Sequence, residues 1–191
     1  CMKEIKMVDL HGQYLQHRDE INSAIQEVLD SSAFIKGPPV KEFENELAQY
    51  AGAKHCVACG NGTDALQVAM MALELQPGDE VITTPFTFIA TIEVIKLLKL
   101  VPVLVDIEAD TFNIDPAKLP EILTSRTKAI VPVHLFGQTA DLNQIIAFAQ
   151  KHNLFVIEDN AQAIGADYTL ADGKTAKAGT LGDIGCTSFF P

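Results

Sequence analysis

The chain has 191 residues, 48% hydrophobic and 20% charged, a balance that supports a folded core of single-domain size and excludes a disordered chain. Its 14 basic residues against 25 acidic ones leave a formal net charge of -11 with no basic run, so nucleic acid is not an expected partner. No apolar stretch is long enough to span a membrane, and the opening CMKEIKMVDLHG lacks the uninterrupted apolar run of a secretory signal, so the expected setting is cytoplasmic.

Ile21, Ile25, Val28 and Leu29 recur at helical spacing and predict an amphipathic helix ending near Ser31. The loop FIKGPPV follows, with one Gly and two prolines, and a short helix is predicted over 42–50. Residues 55–59 read as a strand, which would bury Cys56 and Cys59 of HCVACGNG. That CxxC has no second CxxC or HxxxH to complete a zinc site, and the five histidines are scattered, so no metal is expected. With Cys186 the thiols are too few for a disulfide framework.

From there strand and helix alternate. Helices are predicted over 63–75, 88–98, near 116–123 and over 142–152; strands over 81–84, 101–106, 129–135 and 154–157. Continuous apolar strands separated by helices require a mostly parallel sheet flanked by helices on both faces, so the fold class is α/β, preceded by a helical arm. Asp172-Gly173 within 168–182 predicts a hairpin excursion before a last apolar run, GDIGCTSFFP.

In such sheets ligands sit beyond the carboxyl ends of the strands. GNGTDAL, at 60–66, follows the first predicted strand and opens a helix, a pattern whose free N–H groups and dipole suit a phosphate. An ordinary turn with Asn61 or Thr63 as N-cap accounts for the same residues. The stretch also fits GxGxxA, yet Asp79 and Glu80 precede the strand VITT instead of ending it, so a nicotinamide site is not expected. LFVIEDNAQA places Glu158 and Asp159 at another strand end. No GxxxxGK[ST] accompanies them, which removes a Mg²⁺-ATPase reading and leaves helix capping by Asp159 as the plain alternative.

NGTDAL, PFTFIAT, DTFNIDP, VPVHLFGQ, VIEDNAQAIGA and CTSFFP, in this order and at these spacings, resemble the DegT-type family of pyridoxal-phosphate-dependent sugar aminotransferases. The resemblance runs from Met7 to Pro191 and implies the large domain of the aspartate aminotransferase fold, roughly the N-terminal half of a full family member. Residues 1–40 would be a helical arm and 41–191 an incomplete cofactor-binding domain.

Pyridoxal 5'-phosphate is the cofactor that the resemblance implies. Asp159 would pair with its pyridinium nitrogen, keeping the ring cationic and able to absorb electrons. Gln162 would contact the phenolic oxygen; Gly62, Thr63 and Ser188 would form the phosphate cradle; and Phe88 would stack on the ring, with Phe86 a neighbouring candidate. His134 and Gln138 would approach the sugar substrate. The Ser188-Phe189 pair points to a Schiff-base lysine two residues beyond Pro191, so no lysine of this chain is given a catalytic role.

The implied reaction moves an amino group, with glutamate as donor, onto a keto nucleotide-sugar during amino-sugar or surface-polysaccharide biosynthesis. HLFGQ and SFFP look most like the branch acting on a UDP-linked 3-keto hexose or hexuronic acid. The implied assembly is a homodimer with a shared active site, residues 34–40 lying near it. Two alternatives stand beside this reading: a pyridoxamine-dependent sugar dehydratase with the lysine replaced, and a cofactor- or sugar-binding regulatory protein without catalysis.

Overall fold

The structure is a computed structural model that describes residues 8–189. Residues 1–7 and 190–191, which include the beginning of the expected arm and the end of the CTSFFP run, lie outside the described residues.

Three helices come first: α1 (Leu10–Gln16), α2 (Arg18–Ser31) and α3 (Pro38–Ala51). Asp9 caps α1 by accepting from the Gly12 N–H at 3.0 Å, and two prolines open α3, where a missing N–H costs nothing. Gly52 ends α3 at φ +73°, a conformation that glycine adopts without strain. None of the three helices buries a residue fully, and the expected apolar face of α2, with Ile21, Ile25 and Leu29, stays exposed.

The strand expected over 55–59 is absent. The segment has no regular secondary structure, and no described strand pairs with it; Val57 is 74% exposed, and the Ala58 N–H donates instead to Glu44 Oε1 of α3 at 2.8 Å. Cys56 is therefore only half-buried and Cys59 exposed, which corrects the expectation of two buried strand cysteines. An apolar run specifies an extended chain; a strand also needs a partner edge.

Five strands form one parallel sheet in the order β2-β1-β3-β4-β7: β1 (Glu80–Thr83), β2 (Val101–Leu104), β3 (Thr127–Ile130), β4 (Phe155–Asp159) and β7 (Ile184–Cys186). β2 lies at the edge and carries Pro102, and its Leu104 is exposed, so it is not the enclosed strand its composition suggested. Pro132 breaks the ladder after β3, where only a bridge from Val133 to Asp159 continues it. β5 (Asp167–Thr169) and β6 (Thr175–Lys177) make the expected antiparallel hairpin, which turns through Gly173 at φ +84°.

Side-chain alternation sends successive strand residues to opposite faces. Val81, Ala129 and Ile157 meet Leu66 and Met70 of α4 (Gly62–Ala72) and Val94 and Ile95 of α5 (Ala90–Leu97). Ile82, Ile130 and Val156 meet Leu119 of α6 (Leu119–Ile122) and Ile145 and Ala149 of α7 (Leu142–His152). Each fully buried aliphatic side chain contributes roughly 1.5–3 kcal/mol, so these two layers stabilise the sheet from both faces.

Candidate functional site

β4 carries the centre of the site. Its last residue, Asp159, is buried; Oδ2 accepts from Thr91 Oγ1 at 2.7 Å and Oδ1 from the Ala161 N–H at 3.2 Å. Burial pushes the Asp159 carboxyl up despite the lowering effect of these bonds. A carboxylate has about four lone-pair sites, so acceptor capacity remains for a cationic N–H. Thr91, also buried, is held in turn against Thr87 Oγ1 at 2.9 Å.

Glu158 faces the other side of the sheet. Its Oε1 accepts from the N–H groups of Leu181 and Gly182, both at 2.6 Å, and its Oε2 from Gly179 N–H at 2.8 Å and His134 Nε2 at 2.9 Å. Burial alone would raise its pKa, but the bonds from His134, Gly182 and Gly179 outweigh it and hold the carboxyl below its ordinary value. His134 is wholly buried, and its Nδ1 accepts from the Ala140 N–H at 3.1 Å, which leaves the proton on Nε2 facing Glu158.

A second feature forms where β7 runs out beside α4. The register opposes Asp159 to Cys186, so Ser188 stands two residues past that level, at the carboxyl edge. Asn61 is the N-cap of α4, its Oδ1 accepting from Asp64 N–H at 2.9 Å, while Gly62 and Thr63 supply the helix's first N–H groups, which have no intrahelical carbonyl. A Cβ placed on Gly62 would lie 2.7 Å from Ser188 Cβ and 3.0 Å from its Oγ. Only a glycine at this position lets Ser188 approach the start of α4 so closely. The Asp64 carboxylate is turned back to Asn61 Nδ2 at 3.1 Å, and Phe189 packs edge-on against Phe43 of α3 at 5.5 Å.

The rim is aromatic. Phe88 is 67% exposed, whereas Phe86 turns to Phe112 and Phe136, with ring centroids at 5.7 and 6.4 Å. Gln162 is exposed, and its Oε1 accepts from Phe136 N–H at 3.1 Å. Gln138 is exposed two residues further along that loop. Sequence reasoning passed over Thr91 and treated Glu158 only as half of a carboxylate pair. The strand alternation that sends Glu158 and Asp159 apart was the available signal. Among the described residues no His/Cys/Asp/Glu cluster could hold a metal, and no helix is long and apolar enough to cross a membrane.

Residues 15–191 match the DegT/DnrJ/EryC1/StrS aminotransferase family. The chain is 49% identical over 187 residues to the UDP-2-acetamido-2-deoxy-3-oxo-D-glucuronate aminotransferase of Pseudomonas aeruginosa, covering 98% of this chain and 51% of that protein. It is 51% identical to a pleiotropic regulatory protein of Geobacillus stearothermophilus, again over 98% of this chain and 49% of the relative. The crystal structure of a DegT DnrJ EryC1 StrS aminotransferase from Brucella abortus superposes with a TM-score of 0.89 at 39% identity, covering 98% of this chain and 51% of that one. The chain thus spans about half the length of the curated relatives it matches.

Proposed function

The chain belongs to the DegT/DnrJ/EryC1/StrS aminotransferase family, and on that premise we propose that it is the cofactor-holding part of a pyridoxal-phosphate-dependent transaminase acting on a keto nucleotide-sugar. The observation that carries the reading is one sheet edge with two complementary features. Buried Asp159 has acceptor capacity to spare, and Ser188 approaches the Gly62 backbone at the start of α4 too closely for any Cβ.

When bound, the cofactor supplies a cationic ring that takes up the electron pair left as the substrate carbon loses its proton. Asp159 would accept from the ring's N–H, with Thr91 fixing the carboxylate through its other oxygen. The N–H groups of Gly62 and Thr63 and the hydroxyls of Thr63 and Ser188 would hold the phosphate. Gln162 already spends its oxygen on Phe136, so its amide NH₂ is the group left to donate to the phenolic oxygen. Phe88 would stack on the ring, since Phe86 is engaged in the aromatic rim. His134 has both ring nitrogens occupied, which fits a bracket between Glu158 and Ala140 better than a sugar contact; Gln138 remains in the substrate role. No lysine of residues 1–191 is assigned the proton-moving amine, which the family pattern puts at position 193.

The domain division at residue 40, glutamate as donor, a homodimer and a cytoplasmic setting belong to the same reading. The exposed apolar side chains of α2 suit an arm that packs on a second subunit. A UDP-linked 3-keto sugar is the proposed acceptor, supported by the similarity to the Pseudomonas enzyme. The test is to incubate full-length protein with cofactor, glutamate and that sugar and to follow the amino sugar by mass spectrometry. Absence of amino transfer overturns the reading. A cofactor or sugar complex without turnover would instead support the regulatory alternative that the Geobacillus relative's name favours.

A further inference from the structure

Three phenylalanines from three separate loops converge at the carboxyl edge: Phe86 after β1, Phe112 after β2 and Phe136 after β3. All three are at least 44% exposed, Phe136 71%. Phe112 and Phe136 have φ of +60° and +57°, a left-handed backbone that a bulky residue rarely adopts. Strain of this kind persists only where the surroundings impose it, and it gathers at ligand clamps.

Phe112 N–H donates to the Glu108 carbonyl at 2.9 Å and Phe136 N–H to Gln162 Oε1 at 3.1 Å, and one buried side chain joins the two loops. Asn113, 1% exposed, accepts from Leu135 N–H at 3.1 Å and donates to the carbonyls of Gln138 at 3.2 Å and Thr139 at 3.1 Å. It thereby ties the Phe112 loop to the Phe136 loop, and both rings remain exposed. Phe86 meets Phe112 at a 38° tilt and Phe136 edge-on at 72°, so neither contact is a parallel stack. A chain with 25 acidic and 14 basic residues pulls weakly on a diphosphate, but a neutral flat ring can stack on this rim without electrostatic cost.

We infer that Phe86, Phe112 and Phe136 form a preorganised wall on which the pyrimidine base of the nucleotide-sugar stacks, a role that rests on the nucleotide-sugar reading above. Specificity for a nucleotide over a simple sugar phosphate then originates in this rim.

The experiment titrates the full-length holoenzyme with UDP and, separately, with inorganic pyrophosphate, which carries similar charge but no base, by calorimetry. Phe112→Leu and Phe136→Leu keep apolar bulk and remove the ring; each is expected to weaken UDP binding about tenfold while pyrophosphate binding holds, and Phe112→Trp to restore it. Unchanged UDP affinity in both Leu variants overturns the base site, and it leaves the proposed function standing if the wild type transaminates the keto sugar. Loss of dimer mass by light scattering, with UDP affinity intact, also overturns it and assigns the wall to a second copy of the chain. A wild type that neither binds UDP nor turns over a keto nucleotide-sugar removes the reading beneath.

Discussion

Glu158 and Asp159 are consecutive residues of β4 whose carboxylates face opposite sides of the sheet and are held by opposite means. Four N–H donors surround Glu158 and keep it charged; burial dominates at Asp159 and favours its neutral form. The two should therefore respond to acid with opposite sign.

Glu158, with its folded pKa lowered, contributes stability that is present above the ordinary carboxylate value and is lost as pH falls through the lowered one. Glu158→Gln turns an NH₂ toward groups that all donate, and is expected to cost about 3 kcal/mol at neutral pH. Urea unfolding at a series of pH values should find the gap between wild type and variant closing toward acid. A pH-independent gap would mean that charge is not what the N–H donors stabilise.

Asp159, with its folded pKa raised, costs the cofactor-free protein stability as pH rises through that value. Asp159→Asn should then stabilise the cofactor-free full-length protein at neutral pH, an advantage that disappears below the ordinary aspartate pKa. The same variant should retain the cofactor through its phosphate yet lose roughly ten- to a hundredfold in transamination, the worth of a charge-assisted bond of about 1.5–3 kcal/mol. Near-normal turnover would remove Asp159 from the proposed role.

Gly62→Ala should weaken cofactor binding more than Thr63→Ala. The added methyl would stand 2.7 Å from Ser188 Cβ and displace a wall of the cradle, whereas Thr63→Ala removes one hydroxyl donor, worth about 1 kcal/mol. Titration of cofactor-free protein, followed by absorbance, measures both. Equal affinity in all three proteins would reduce the loop to a plain turn.

The alternation of strands and helices was legible because a parallel sheet covered on both faces forces its strands into apolar runs, as at Val81-Ile82 and Val156-Ile157. The failure at residues 55–59 has the same root, since an apolar run does not declare whether another strand lies beside it. Asp159, Gly62 and Ser188 could be singled out because they lie in short motifs. Glu158 and Asn113 could not be given their roles, because their partners lie 21–26 residues away along the chain. Thr91 reaches 68 residues to Asp159, a distance that only the folded sheet closes.

Thiol labelling offers a check on the corrected segment. Cys186 is buried, and desolvation with the nearby Asp159 and Cys59 pushes its pKa up to about 12, so at mild alkaline pH it should resist alkylation until the protein unfolds. Cys59 is exposed and should react in the native state, with Cys56 slower because burial raises its thiol pKa. Peptide mapping that finds Cys186 labelled before Cys59 would contradict the placement of both.

Asn113 makes two loops into one moving part. Because a single amide holds the chain at Leu135, Gln138 and Thr139, residues 108–113 cannot swing away without breaking three bonds at once, and neither can residues 135–139. Their slow opening should be concerted, one exchange process with one rate in relaxation-dispersion experiments. The entropy of aligning the rim is thus spent during folding, so an arriving ligand meets a surface whose freedom has already been surrendered.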